Sequence, residues 1–162
     1  FELHAKVNLC FGTDGAASSN TLNPVEQARL FALLCKYQSR DGRVCDAAYV
    51  WKRLFAGHDA FPFNTGRIKE GAPADLVIWN LNTPDTMPIY DPVTAILFSS
   101  NSGNVKYTMV SGEFLKLDGR LSDRVSVQTE AVEEAASACG FHTSRMLRIV
   151  EIGIPRAILP LA

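Results

Sequence analysis

Hydrophobic residues follow two different spacings along this chain. Between residues 20 and 57 they recur at helical spacing after one short apolar run, whereas from residue 74 they stand in short β-branched runs between turn residues. The first spacing predicts helices and the second predicts strands. The pattern therefore indicates an α/β chain with an internal boundary near residue 62.

The first apolar run covers residues 7–12 and is dense enough for a buried strand. It stops at a carboxylate, Asp14, after which the chain continues into Gly, Ala and Ser. A carboxylate at the tip of a buried strand must be paired, bound to a metal, or raised into an opening where it meets substrate. Asp14 is therefore the first candidate for chemistry.

Two helices are predicted next. The first begins at Asn23-Pro24, where the asparagine can cap the helix and the proline suits the first helical position, and it is expected to run to about Gln38. Glu26 stands three residues after the cap, where it can reach back to it. The second is expected over residues 44–56, with Gly57 to end it. Helical spacing predicts apolar faces made of Val25, Ala28, Leu30, Phe31, Leu34 and Cys35, and of Ala47, Ala48, Val50, Trp51, Leu54 and Phe55.

The second half predicts short strands joined by turns. Three prolines make residues 82–92 irregular. Residues 129–139 have helical spacing, and the apolar tail from Phe141 carries no pattern that assigns it. The expected strands start at Arg67-Ile68, cover residues 74–79 as a buried strand, and form a hairpin of residues 105–110 and 113–117 around Ser111-Gly112, closed by Asp118-Gly119.

Composition narrows the class of protein. The 162 residues are 47% hydrophobic and 20% charged, as in a globular domain. The net charge of −1, without a basic stripe, predicts no nucleic-acid partner. Apolar runs are too short for a bilayer, and no charged-then-apolar leader is visible, so neither a membrane nor secretion is expected. We expect a cytoplasmic protein.

Cysteine and histidine placement bears on metal chemistry. The four cysteines contain no CxxC pair, so reduced and buried thiols are favoured over a disulfide or a zinc knuckle. The three histidines form no HxH motif and are expected to be surface or packing residues. The cysteines are Cys10, Cys35, Cys45 and Cys139, and the histidines are His4, His58 and His142.

Four stretches, in order, resemble one family. "GTDGAASSNTLN" followed by "PVEQARLFALLCK" resembles the end of the last barrel strand of the amidohydrolase superfamily, in the branch of methylthioadenosine/S-adenosylhomocysteine deaminases and s-triazine hydrolases. "AGHDAFPFNTGRIKEGAPADLVIWNLN" resembles the passage into a small β-sandwich, and "PIYDPVTAILFSSNSGNVKYTMVSGEFLKLDGRL" resembles its hairpins. The resemblance implies the last βα unit of a (β/α)8 TIM-type barrel over residues 1–62, part of the sandwich over 63–124, and a C-terminal helix with an unassigned tail over 125–162.

The resemblance also implies a metal site. In that superfamily an HxH pair, two further histidines and an aspartate at the end of the last strand hold a divalent ion, Zn or Fe, at the barrel mouth. By position Asp14 resembles this aspartate, as metal ligand and as the catalytic group that takes a proton from metal-activated water. The alternative for Asp14 is a turn or cap residue. Ser18 resembles a loop serine near bound substrate, although a hydroxyl that binds local backbone fits equally well.

The chain also departs from the family pattern. Ser19 replaces the first of two neighbouring asparagines, and Tyr90-Asp91-Pro92 stands where the family often has His-Asp-Pro. One carboxylate offers a single ligand where such a site needs about four. By itself, then, this chain is not expected to hold the metal tightly or to be active.

The function implied is hydrolytic deamination, or dechlorination, of a small heterocycle such as an aminopurine nucleoside. One βα unit cannot close a barrel, so a missing N-terminal barrel portion or a second copy is expected to cover the exposed strand edges. Two other functions stay open at this point. The chain could be a non-catalytic, self-associating structural module, or one subunit of a split hydrolase.

Overall fold

The computed structural model describes residues 6–15, 18, 21–60, 64–123 and 138. The chain divides into two compact units, residues 1–124 and 125–162. In the second unit only Ala138 is described, as helical, so the rest of the predicted helix 129–139 and the tail lie outside the described residues. The elements of the first unit are the helices α1 (Pro24–Ser39), α2 (Ala47–Phe55) and α3 (Pro92–Thr94), the 3-10 turns Ala56–Ala60 and Ser102–Asn104, the π-helical turn Ala95–Ser99, and the strands β1 (Leu76–Trp79), β2 (Val105–Val110), β3 (Glu113–Leu117) and β4 (Arg120–Leu121).

Helix α1 begins where the sequence predicts. The Asn23 side-chain oxygen accepts hydrogen bonds from the backbone N–H groups of Val25 at 3.1 Å and Glu26 at 3.3 Å. The Glu26 carboxylate accepts from the Thr21 hydroxyl at 2.8 Å, a partner that the capping-box expectation did not include. The helix ends at Arg40, whose left-handed φ of 54° turns the chain out of the helix.

The buried face of α1 differs from the predicted one. Ala28 and Ala32 are fully buried, and Val25 and Cys35 are buried with them. Leu30 and Leu34, expected on the apolar face, are 51% and 57% exposed. The small alanine side chains let α2 and the π-helical turn approach α1 closely, and this contact selects the face. Leu30, Leu33, Leu34 and Tyr37 form a second, exposed stripe on α1, called here the outer stripe.

Helix α2 starts three residues later than predicted. Cys45 has a left-handed φ of 46°, which cannot continue a helix, and the Asp46 carboxylate caps α2 by accepting the Tyr49 N–H at 2.8 Å. Gly57 does not end the helical path, because the chain continues through it as a 3-10 turn to Ala60.

The core lies between α1, α2 and the π-helical turn. Phe11, Phe31 and Leu54 are among the half-buried side chains that pack around it. Cys35 and Cys45 are both buried, as favoured from the sequence, and Cys10 is exposed. The buried cluster consists of Val25, Ala28, Ala32, Cys35, Cys45, Val50 and Leu97.

The π-helical turn had no sequence prediction, yet it supplies the core residue Leu97, which is fully buried. Asp91 caps the preceding helix α3, and the turn itself closes with the Ser100 N–H donating to the Ala95 carbonyl at 2.9 Å. Arg29 of α1 reaches across to this turn. Its Nε donates to the Leu97 carbonyl at 2.6 Å, and its guanidinium also donates to the Ser100 carbonyl.

The strands form one antiparallel sheet in the order β1-β2-β3-β4. The two-residue turns Ser111-Gly112 and Asp118-Gly119 have positive φ at both residues, as a type I′ hairpin requires. Both turn predictions are confirmed, and β4 is an additional short strand. The expected burial of residues 74–79 is wrong, since Val77 and Ile78 are 51% and 49% exposed. Within β1, Trp79 is the side chain that packs against the buried cluster of the helices.

Two other strand predictions fail. Residues 7–12 form no strand. Among the described residues, the strands β1 to β4 pair only with one another. Residues 67 and 68 form none either. Arg67 pairs with Asp59 at 2.5 Å, and Ile68 is 90% exposed.

Residues 82–91 are irregular, as expected, whereas Pro92 begins α3. A buried asparagine organises the irregular segment. Asn104 is 3% exposed, and its amide nitrogen donates to the Asn80 carbonyl at 3.3 Å and to the Thr83 hydroxyl at 2.9 Å. Its amide oxygen accepts the Asn101 N–H at 2.8 Å. None of the described helices is both long and apolar enough to cross a membrane.

Candidate functional site

Asp14 lies in an exposed turn rather than at a strand tip. Its backbone has a left-handed φ of 59°, and its Oδ1 accepts the N–H of Gly15 at 2.7 Å. This hydrogen bond is the turn geometry that the sequence left open as the alternative for this residue. A carboxylate held in this way through one oxygen can still bind a cation through the other.

Ser18 is helical, and it bonds to the residue that follows Asp14. Its hydroxyl donates to the Gly15 carbonyl at 3.1 Å, and its backbone N–H donates to the same oxygen at 3.1 Å. Gly15 therefore contacts both predicted site residues, through its N–H and through its carbonyl. The Ser18 hydroxyl keeps acceptor capacity beyond this local contact.

The segment before this turn is fixed to the helices at three points. The rings of Phe11 and Phe31 meet edge to face with centroids 5.3 Å apart. The Arg53 guanidinium donates to the Asn8 side chain at 3.3 Å. Cys10 packs beside Gly57, where an added Cβ would lie 3.5 Å from the Cys10 Cβ. These contacts tie the Asp14 turn to α1 and α2 without a strand.

Within the part of the chain that the structure describes, the other chemical residues singled out from the sequence do not converge on Asp14. His58 is exposed, and its Nδ1 forms a hydrogen bond with the Thr65 hydroxyl at 2.7 Å, in keeping with a surface histidine. His4, Ser19, Asn20, Cys139 and His142 lie outside the described residues. Tyr90 is 94% exposed.

Asp91, in the departure from the His-Asp-Pro pattern, has a structural role. The hydroxyl and N–H of Thr94 donate to its carboxylate at 2.5 and 2.7 Å. These hydrogen bonds hold the pKa of Asp91 below its ordinary value, and the bond from the Thr94 hydroxyl has the largest effect.

The described residues do not fit a metal site on their own. Among them, no group of three or more His, Cys, Asp or Glu side chains comes together. Asp14 supplies one carboxylate, whereas zinc in proteins takes about four ligands. A cavity of about 570 Å³ lies elsewhere, lined by Lys36, Tyr37, Gln38 and Arg40, and it includes neither Asp14 nor Ser18.

The model of the Amidohydrolase family matches residues 2–115, most of the chain. The chain belongs to this family, as the sequence motifs indicated.

Relatives within the family carry a narrower description. The chain is 40% identical over 114 residues to a 5-methylthioadenosine/S-adenosylhomocysteine deaminase of Thermococcus kodakarensis, covering 70% of this chain and 27% of the relative. It is 42% identical over 117 residues to the enzyme of the same name from Caldicellulosiruptor saccharolyticus, covering 71% and 27%. The chain thus spans about a quarter of the length of these curated relatives.

The fold agrees with solved structures of similar proteins. An adenosine deaminase from Xanthomonas campestris with bound zinc superposes with a TM-score of 0.71 at 28% identity, over 83% of this chain and 30% of that one. An atrazine chlorohydrolase from Arthrobacter aurescens complexed with zinc gives a TM-score of 0.67 at 24% identity, over 84% and 30%. The second match shows the fold alone.

Proposed function

We propose that this chain is the C-terminal portion of a metal-dependent amidohydrolase. In this proposal residues 1–62 are the last βα unit of a (β/α)8 barrel and its following helices, and residues 63–124 belong to a small β-sandwich. The chain covers only 27% to 30% of the length of these relatives, and this coverage supports the proposal that the rest of the enzyme lies outside this chain. A barrel neighbour on either side of residues 7–12 would supply the strand pairing that this segment lacks among the described residues.

The reaction we propose for the complete protein is hydrolytic deamination of an aminopurine nucleoside or a closely related heterocycle. The carrying observation is the identity of 40% and 42% to the two deaminases. In such a reaction water adds at the carbon that bears the amino group, and ammonia leaves. We prefer deamination to dechlorination because the atrazine chlorohydrolase is only 24% identical to this chain, and a similarity at that level supports the fold but not the reaction.

Within this chain, Asp14 is proposed as one ligand of a divalent ion, Zn or Fe, and Ser18 as a hydroxyl near bound substrate. Both are exposed in the described unit, and both are anchored on Gly15. That shared anchor fixes their relative position before any ligand arrives. The remaining ligands would come from the part of the family fold outside this chain.

The experiment is a deamination assay on the full-length protein. Adenosine and methylthioadenosine are offered at neutral pH, and released ammonia is measured for the wild type, Asp14→Asn and Asp123→Asn. Asp123 is an exposed aspartate and serves as the matched control. We expect activity in the wild type and the control and a loss of at least about a hundredfold in Asp14→Asn. A full-length protein without deaminase activity overturns the proposed reaction, whereas an active Asp14→Asn overturns only the residue assignment.

A second function, self-association as a structural module, is favoured by one observation. The outer stripe of Leu30, Leu33, Leu34 and Tyr37 leaves half or more of each side chain exposed. Apolar surface of this kind is covered either by the rest of the family fold or by a second copy. The intact mass of the protein from its natural source separates these functions, because 17.7 kDa with a dimeric elution volume supports the module and a much larger mass supports the hydrolase.

A further inference from the structure

Two cysteines meet in the core, apart from the Asp14 turn. Cys35 lies near the end of α1 and is 1% exposed, and Cys45 directly precedes the cap of α2 and is 7% exposed. Both belong to the same apolar cluster, and their side chains are joined by a hydrogen bond. The sequence separates them by only ten residues, so the fold brings two sulfur atoms together across a short connection.

The closed core protects these thiols. Burial in apolar surroundings, followed by the hydrogen bond to Cys45, raises the pKa of Cys35 to about 12. The nucleophile in thiol chemistry is the thiolate, so the pair is protonated and slow to react while the core stays closed. Reaction at this pair therefore requires a local opening.

Two lysine hydrogen bonds and the positive φ of Cys45 characterise the connection between the helices. Lys36 Nζ donates to the carbonyls of Gly42 and Val44, each at 2.7 Å, and these two bonds hold the connection against α1. Cys45 itself has a left-handed φ of 46°, a strained conformation for a residue with a side chain. Loss of the Lys36 bonds would let Cys45 leave this strained conformation, whereas Cys35 is part of α1.

We propose that Cys35 and Cys45 form a reversible intramolecular disulfide, with Cys45 as the thiol that first meets a peroxide oxidant. The Cys45 sulfur attacks one oxygen of hydrogen peroxide, an S–O bond forms, the O–O bond breaks, and one water leaves. The Cys35 sulfur then attacks the Cys45 sulfur, the S–O bond breaks, and a second water leaves. Two thiols are oxidised, one peroxide is reduced to two waters, and a dithiol reductant reverses the linkage.

The test uses the chain with Cys10 and Cys139 replaced by serine, so that only this pair can react. The folded protein is treated with hydrogen peroxide, quenched, denatured, alkylated and mapped by mass spectrometry. We expect one peptide cross-link between Cys35 and Cys45, the loss of two hydrogens in the intact mass, and reversal by dithiothreitol. Cys45→Ser in the same background should give no cross-link. Two alkylated cysteines, or a sulfinic acid on Cys45 beside an alkylated Cys35, overturn the proposal.

A second pair of variants tests the opening step. Lys36→Met keeps the aliphatic stem and removes both hydrogen bonds, so we expect cross-linking about fivefold faster than in the parent. Lys52→Met is the control, because Lys52 is an exposed lysine on the neighbouring helix. Equal rates in Lys36→Met and Lys52→Met would contradict the role given to the Lys36 bonds.

Discussion

Arg29→Met should cost this chain more stability than any change of an exposed charge. The substitution keeps the apolar stem and removes the hydrogen bonds from the guanidinium to the Leu97 and Ser100 carbonyls. A hydrogen bond from a charged donor contributes about 1.5–3 kcal/mol, and Arg29 is only partly buried, so we expect a total loss of about 2–4 kcal/mol in the free energy of unfolding. The loss is large because Leu97, which the turn holds in the core, is fully buried.

The assay is urea denaturation followed by circular dichroism, with the midpoint and slope fitted together. Arg43→Met is the matched control, since the Arg43 side chain is 92% exposed in its pair with Asp41 and its removal should leave the midpoint unchanged. If Arg29→Met unfolds at the same urea concentration as Arg43→Met, the bonds to the π-helical turn do not stabilise the fold. Should Arg29→Met fail to fold, Arg29→Lys, which retains one charged donor, must recover part of the stability.

Three further outcomes are expected from the same denaturation assay. Asn104→Ala should lose about 2 kcal/mol, because it removes the hydrogen bonds of a buried amide side chain to Asn80, Thr83 and Asn101; an unchanged midpoint would contradict this. Gly66→Ala and Gly112→Ala both force an alanine into positive φ, but only at Gly66 would the new Cβ lie 2.6 Å from the His58 ring. Gly66→Ala should therefore be the less stable variant by about 1 kcal/mol or more, and equal losses of stability would refute the close contact. The folded-state pKa of Asp91 lies below its ordinary value of 3.8, so the hydrogen bonds to its carboxylate stabilise the fold above pH 3.8, and this stabilisation is lost as the pH falls through the folded-state pKa. Asp91→Asn should make the free energy of unfolding less dependent on acid pH. An unchanged acid profile would exclude the Asp91 cap as the source of that dependence.

Local signals predicted local structure well. Asn23-Pro24 favours a helix start without help from distant residues, and α1 begins there. The two Xaa-Gly pairs likewise favour tight hairpin turns, and the chain turns at both of them. Asp91-Pro92 carries the same helix-start signal as Asn23-Pro24, and it marks α3, which the sequence analysis did not assign. That element could have been found.

Burial could not be predicted in the same way, because it depends on what packs against each face. Leu30 and Leu34 are as apolar as any core residue, yet the small side chains of Ala28 and Ala32 decide which face meets α2. Residues 7–12 have the composition of a strand, but pairing needs a neighbour that composition does not reveal. The role of Asp14 could not be predicted for the same reason, since one carboxylate does not identify the other residues that would bind the same metal ion.

The most direct measurement is the metal content of the complete hydrolase that we propose contains this chain, compared with its Asp14→Asn variant after dialysis against metal-free buffer, by inductively coupled plasma mass spectrometry. If Asp14 is a ligand, the wild type and Asp123→Asn retain about one zinc or iron per chain, and Asp14→Asn loses it while its circular dichroism stays the same. Full metal occupancy in Asp14→Asn would show that this carboxylate only shapes its turn.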